Sequence, residues 1–564
     1  MPGAALLNMG HYVIGLDFGT ESVRALLVQV SNGETIATAV DAYADGVLDE
    51  RLPASAGNSE QLPPDWALQN PADWIAGLER TIRSVMTTAR VDPSDVVGIG
   101  VDFTSCTVLP TDAAGVPLCQ VDGLASERHA WPKLWKHHGA EREADRVTSV
   151  AASRKEPWLS RYGGRISSEW LLPKALEIAE HAPRLYSAAG RIVEGADWVV
   201  WNLTGSLARN SCAAGYKGNW HKRDGFPTPE YLRALRPGFE DLYTAKLAGP
   251  VVPPGTSVGT LTPAWAARLG LSAGTAVAAP IIDAHAAVIG GGVAAPGTFV
   301  MMMGTSTCHL LMAERECAVE GMAGVVEDGI VPGFYAYESG QAAVGDLFAW
   351  FAHHAVPPPH HAAAAEQGQS VQALLTSKAE GLGPGRSGLI ALDWWNGNRS
   401  TLGRSDLSGL LIGATLNTRA EEIFHALIEA TAFGTRAIVE SFTDQGLPVS
   451  SIVAGGGLTR NTLLMQIYAD VTGRPISVAG AAQASALGAA MLGAVAAGTA
   501  RGGYATLREA AAGMAPAPST VYEPDSDRRG QYDTLYREYK RLYDYFGRGG
   551  SDVMRLLREA RRRD

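Results

Sequence analysis

Apolar runs of strand length alternate with stretches of helical spacing along most of this chain, and three of the runs end in small-residue turns. The first, from Tyr12 to Val28, is interrupted once, at Asp17-Phe18-Gly19-Thr20, and resumes after Arg24. That pattern predicts two buried strands joined by a tight turn that glycine permits. Trp74 to Arg90 has the spacing of a helix and Val97 to Phe103 that of a following strand, so the opening region predicts α/β architecture. A second hairpin is predicted where the run from Gly297 to Met303 meets Gly304-Thr305-Ser306. A third strand, from Ile452, enters Gly455-Gly456-Gly457 and then a helix. Ala486 to Ala500 is apolar but too short to cross a membrane, and reads as a buried helix. Tyr532, Leu535, Tyr536, Tyr539, Leu542, Tyr543 and Phe546 recur every three or four residues, which marks an amphipathic helix packed on the body.

No short-period repeat is present, so a solenoid is excluded. Two halves, each opening on strand–turn–strand, imply a duplicated α/β core around a central cleft. The boundary is expected near residues 293–297, giving an N-terminal domain over 11–295, a C-terminal domain over 296–546 and a basic tail over 547–564. Residues 126–245 are helix-rich and irregular, with Trp131, Trp135, Trp158, Trp170, Trp198, Trp201 and Trp220, and read as an insertion that builds a substrate pocket. Pro250 to Gly259 and Met514 to Asp527 read as connections, and the low-complexity Pro357 to Ala365 as a surface excursion.

Composition narrows the classes. A chain of 564 residues exceeds what one core serves, and 46% hydrophobic with 19% charged residues excludes general disorder. A formal charge of −11 argues against sequence-independent nucleic-acid binding. Cys106, Cys119, Cys212, Cys308 and Cys317 are odd in number and form no CxxC pair, which fits a reducing compartment and no zinc site. The histidine pairs at 137–138, 353–354 and 360–361 lack metal-site spacing. The segment from Met1 has no basic n-region, so a cytoplasmic chain without membrane contact is expected.

The turns carry the candidate chemistry. Gly19 lets backbone approach closely, N–H groups and Thr20 can donate to a polyphosphate, and Asp17 can reach a hydrated Mg²⁺. Gly455–Gly457 can lie against a flat ring or a phosphate. This stretch is neither a Walker loop nor a dinucleotide fingerprint, and it also suits a plain strand-to-helix turn. Asp283 follows an apolar strand just before the expected boundary. An acid held there can orient a sugar hydroxyl and accept its proton, while a helix N-cap is the plain alternative.

Asp17-Phe18-Gly19-Thr20, Gly304-Thr305-Ser306, Gly455-Gly456-Gly457-Leu458-Thr459-Arg460-Asn461 and Ala484-Ser485-Ala486-Leu487-Gly488 stand in the order of the FGGY carbohydrate kinases, and from about residue 11 to 546 the chain resembles that family. His129 to His138, Ala213 to Trp220, Tyr337 to Asp346, Leu392 to Ser400 and the terminal Tyr-rich helix resemble a branch acting on ketopentoses. The resemblance implies the duplicated, ribonuclease H-like fold of actin, Hsp70 and hexokinase. It also implies ATP- and Mg²⁺-dependent phosphorylation of a ketopentose at its terminal hydroxyl. By motif match, Asp283 would be the catalytic base and Asp17 would lie near the metal. Gly19, Thr20, Gly304, Thr305 and Ser306 would flank the phosphates, and Gly455, Gly456, Gly457 and Asn461 would hold adenosine. Ser105, Lys217, Asp283 and Glu338 would face the sugar, whose many hydroxyls need several fixed donors and acceptors.

Two positions depart from the family pattern. Ser105 stands where Ala is expected in that branch, and Gln483 where many family members have Glu. Rival readings are a family kinase for D-ribulose, xylulose or a polyol, and a non-catalytic sensor or chaperone-like ATPase. The second is disfavoured because Asp17 and Asp283 are both present. A homodimer is left open.

Overall fold

The computed structural model describes residues 10–561. The nine-residue segment from Met1 that lacks a basic n-region, and the final three residues of the basic tail, lie outside the described residues. The chain forms two compact units. One comprises the residues up to Ala295 together with Val325–Ala336 and Ala481–Ala517; the other comprises Pro296–Gly324, Tyr337–Gly480 and the chain from Pro518.

In the first unit, strand Tyr12–Phe18 pairs antiparallel with Ser22–Gln29, with Asp17 opposite Arg24. Gly19 N–H closes the turn on the Ser22 carbonyl at 2.9 Å. Thr35–Ala42 continues antiparallel on the outer side of Ser22–Gln29. On its other side Tyr12–Phe18 runs parallel to Val96–Phe103, with Asp17 opposite Asp102, and Ala276–Ala278 and then Ser257–Thr260 complete the order. Strand residues alternate between faces. Ile99, Val101 and Phe103 therefore point one way, into a core with Trp74 and Leu78 of helix Pro71–Ala89 and with Trp198. The second unit repeats these strand senses. Thr298–Met303 is antiparallel to Thr307–Ala313 and parallel to Ser451–Gly455, then Ile476–Val478 is parallel and Thr520–Tyr522 antiparallel.

The opposite face of Val96–Phe103 carries Gly98 and Gly100, and helix Ala484–Ala497 lies directly on it. A Cβ on Gly98 would overlap the Gly493 carbonyl, one on Gly100 that of Ala489, and one on Gly15 that of Ala486. Backbone-to-backbone approach of this kind needs small residues on both surfaces, and the helix supplies Ala and Gly at 486, 489 and 493. These contacts place Ala481–Ala517 in the first unit, where the sequence-based boundary at 296 places it in the second. Val325–Ala336 moves with it.

Residues after 126 build a second core of Trp131, Trp158, Tyr162, Trp170, Tyr231 and Phe239, and this core also draws in Leu48, Leu52 and Leu68. Trp198 and Trp201 pack with the sheet instead, so not all the tryptophans belong to the insertion. Within this layer Lys133 and Glu177 form a fully buried ion pair at 3.0 Å, with His137 Nε2 3.1 Å from the same carboxylate. In the second unit, helix Ser526–Gly547 buries Tyr532, Tyr536 and Tyr539 around Phe433, as its periodicity predicts. Part of the stretch expected to be a linker after Met514 is the edge strand Thr520–Tyr522, and Pro358–Glu366 is a largely exposed helix. The basic end forms helix Val553–Arg561, whose Met554 is buried.

Candidate active site

Three carboxylates converge at the C-terminal ends of adjoining strands in the first unit. Asp17 and Asp102 are register partners on parallel strands, so their side chains leave the same face. Phe18 and Phe103, one residue on, stack on the other face with ring centroids 5.0 Å apart. Ile281 pairs opposite Asp102, and the short strand Ile281–Ile282 turns at once into helix Asp283–Gly290. Asp283 is the first residue of that helix, not its N-cap, and its carboxylate accepts from Ala284 N–H at 2.7 Å.

The three acids are balanced differently. Asp17 accepts from Arg24 Nη1 at 2.9 Å, because the hairpin register sets the two residues opposite each other. Asp102 is wholly buried, and neither of its oxygens has a partner at hydrogen-bonding geometry. Burial first, then the negative charges of Asp17 and Asp283, push its carboxyl well above the ordinary carboxylate range. Sequence reasoning assigned Asp102 no role. The available signal was an acid ending an otherwise apolar strand, the same pattern that singled out Asp17.

Thr20 sits in the hairpin turn with its carbonyl accepting from Gln69 Nε2 at 2.7 Å and its hydroxyl accepting from Trp135 Nε1 at 3.0 Å. The His129–His138 stretch therefore supports the first turn directly. Lys217 lies in the last turn of helix Ser211–Gly218 and is only 5% exposed, so it is a buried charge. Its Nζ is 5.6 Å from the centre of the Trp170 ring and 5.9 Å from that of Tyr216, within range of cation–π attraction. Asn210 caps this helix on Ala213 N–H, and Asp197 in turn holds the Asn210 amide at 2.8 Å.

Ser105 is half-buried beside Cys106, its hydroxyl 3.3 Å from the Cys106 sulfur. Cys106 has φ of 45°, and Lys174 Nζ fixes this strained corner by donating to its carbonyl at 2.7 Å. Close by, Glu194 pairs in register with Val108, and burial raises its carboxyl to about 8. Lys217 and Lys174 are both near enough to oppose that rise.

The second unit holds the remaining candidates. Gly304 N–H donates to the Ser306 carbonyl at 2.9 Å, repeating the closure seen at Gly19. Thr305 O receives the N–H groups of Val344 and Asp346 at the start of helix Gly345–His354. Gly456 has φ of 97° and a Cβ there would overlap the Met303 carbonyl, whereas one on Gly457 would meet nothing within 4 Å. Asn461 caps helix Thr462–Thr472 through Leu464 N–H and donates to Thr376 Oγ1 at 3.0 Å, so its side chain ties the start of that helix to helix Val371–Ala379. Glu338 is half-buried on strand Tyr335–Gln341.

These two units, with a duplicated sheet order and a carboxylate-bearing turn, have the makings of a phosphotransferase, and comparison with known proteins gives its class. Residues 12–290 match the N-terminal domain of the FGGY family of carbohydrate kinases and residues 299–497 its C-terminal domain. The chain belongs to the FGGY family of carbohydrate kinases and is a sugar kinase. Among curated relatives, it is 51% identical over 548 residues to a ribulokinase of Geobacillus thermodenitrificans, covering 97% of this chain and 96% of that protein. It is 46% identical to a ribulokinase of Mycolicibacterium smegmatis, covering 98% of this chain and 96% of that protein. In fold it is similar to xylulose kinase from Rhodospirillum rubrum, with a TM-score of 0.76 at 24% identity over 94% of this chain and 98% of the other. Gluconate kinase from Lactobacillus acidophilus gives a TM-score of 0.77 at 16% identity over 96% and 99%. Among the described residues no helix is long and apolar enough to cross a membrane, and none of the five cysteines is in a disulfide.

Proposed function

We propose that the chain is a ribulokinase: an ATP- and Mg²⁺-dependent enzyme that phosphorylates L-ribulose on its 5-hydroxyl to give L-ribulose 5-phosphate, as in L-arabinose catabolism. The observation that carries this reading is near-full-length identity of about half to proteins named ribulokinase. A cytoplasmic location follows from the ATP requirement and is consistent with five cysteines outside any disulfide.

The residues present fit the groups this chemistry requires. Carboxylate oxygens of Asp17 and Asp283, which leave neighbouring strand ends, suit a hard divalent cation. The open face at Gly457 and the closed turn at Gly304 suit a nucleotide lying close to backbone. When bound, Mg²⁺ neutralises charge on the phosphate oxygens.

The chain's own residues would then divide the work. Asp283 accepts the proton of the 5-hydroxyl as it attacks. Lys217, held by Trp170 and the capped helix, donates to sugar oxygens, with Ser105 and Glu338 as further sugar contacts. Thr20, Thr305 and Ser306 would donate to the phosphates, while Gly19 and Gly304, whose N–H groups close their own turns, let the backbone approach them, and Gly455–Gly457 with Asn461 would hold the adenosine. Asp17, tempered by Arg24, faces the metal.

A coupled ADP-release assay over L-ribulose, D-ribulose, D-xylulose, L-xylulose, ribitol and glycerol tests the reading. The expected result is the highest kcat/KM for L-ribulose. A clear preference for any other acceptor rejects the substrate assignment, and sugar-independent ATP turnover alone rejects the kinase chemistry.

A further inference from the structure

Asp102 is a buried acid that neither the fold nor the proposed reaction has yet used. Its position follows from two registers. Gly98 abuts Gly493 and Gly100 abuts Ala489, so each two-residue step along the strand retreats four residues along the helix. One further step sets Asp102 beside the first turn of helix Ala484–Ala497, where the unpaired N–H groups of a helix favour negative charge. Asp17 lies opposite it on one side and Ile281, two residues before Asp283, on the other. Asp17 has Arg24 as a counter-charge at 2.9 Å, whereas neither buried Asp102 oxygen has a partner at hydrogen-bonding geometry; Asp17 and Asp283 act on it most strongly, and Arg24 offsets them only in part. A buried carboxyl in this setting lacks a cation.

We propose that Asp102 is a third carboxylate of the divalent-cation site, holding the ion from beneath Asp17 and Asp283 directly or through one of its bound waters. This inference rests on the kinase reading of the same site. In this role Asp102 positions the ion and does not touch the sugar. It fixes where the cation rests before nucleotide arrives, which Asp17 alone, shared with Arg24, does less well.

The test is Mn²⁺ binding to the full-length protein without nucleotide, followed by the EPR signal of free Mn²⁺. Asp102→Asn keeps the shape of the side chain and is expected to weaken Mn²⁺ binding by about 10- to 100-fold. In EDTA the same variant should melt no lower than wild type, because it removes a buried repulsion; a merely structural Asp102 would give a lower Tm. Wild-type Mn²⁺ affinity in Asp102→Asn overturns the proposal, as does a wild type that binds no Mn²⁺ without nucleotide. If Asp102→Asn does not fold, anomalous diffraction from Mn²⁺-soaked wild-type crystals decides. An ion within about 5 Å of an Asp102 oxygen, one bridging water away, supports it, and a more distant ion overturns it. Neither readout needs turnover. Mn²⁺ held by Asp102 in a protein that phosphorylates no ketopentose rejects the substrate reading alone; L-ribulose kinase activity with Mn²⁺ binding indifferent to Asp102 rejects only this inference.

Discussion

Gly100→Ala is a one-carbon change with a large expected cost. The added Cβ would lie 1.8 Å from the Ala489 carbonyl oxygen and 2.9 Å from Gly493 N, both main-chain atoms of a buried helix. Real Cβ contacts stay beyond 3.0 Å, so strand and helix must part by about 1 Å or more. No flexible side chain can yield, and the same rigid shift opens the neighbouring contacts at Gly15 and Gly98. Overpacking typically costs about 1–3 kcal/mol, and with backbone on both sides the upper end, about 3 kcal/mol, is expected. That is a large part of a typical stability of about 5–15 kcal/mol. Urea unfolding followed by tryptophan fluorescence measures it. Gly530→Ala is the control, because Gly530 lies in helix Ser526–Gly547 with nothing within 4 Å of an added Cβ. It should gain about 0.5–1 kcal/mol from helix propensity. If Gly100→Ala unfolds within about 1 kcal/mol of wild type, the close-approach argument is wrong.

Other expectations follow from the same structure. Asp283→Asn should lower kcat by about 10²–10⁴-fold while ATP still binds, and near-wild-type turnover would remove Asp283 as the base. Lys217→Ala should raise KM for the ketopentose more than KM for ATP, and the reverse pattern would place the lysine at the nucleotide. Lys133→Met strands the Glu177 carboxylate in the core and should cost about 3–5 kcal/mol in urea, whereas Arg541→Ala, at an exposed pair with Glu538, should cost under about 0.5 kcal/mol. Burial, then the charge of Lys133, lowers His129 to about 2 and His137 to about 3. Both are therefore neutral when folded, while the unfolded chain takes up protons below its ordinary value of about 6.5. Their contribution is complete above that value and is lost as pH falls toward their folded values. The slope is about 1.4 kcal/mol per pH unit for each histidine, so Tm should drop steadily from pH 6.5 to 5. A flat Tm over that interval would show that the pair is not held neutral.

The repeated hairpin was legible because turn chemistry is local: an apolar run, a glycine and a resumed run leave few other folds for Tyr12–Gln29 or Thr298–Ala313. The terminal tyrosine helix was legible for a similar reason, since its period shows which face is buried. The partner of Ala484–Ala497 was not. A helix apolar all round reveals that it is buried but not against what, and the matching glycines lie almost four hundred residues earlier. The burial of Lys217 was equally hidden, because Trp170 reaches it only through the tertiary fold. The contact from Trp135 to Thr20 joins two stretches quoted for different reasons. Asp102 escaped notice because its importance lies in what surrounds it, two other acids brought in by strand register.

The return of Ala481–Ala517 to the unit begun by Tyr12 has a practical consequence for anyone dissecting this enzyme. A gene cut at the linear boundary near residue 296 would yield an N-terminal fragment whose glycine-lined sheet face lies bare, and such a fragment should aggregate unless the missing helix is supplied. Co-expressing Ala481–Ala517 as a separate peptide, or splicing it after Ala295, is the design that this chain path recommends.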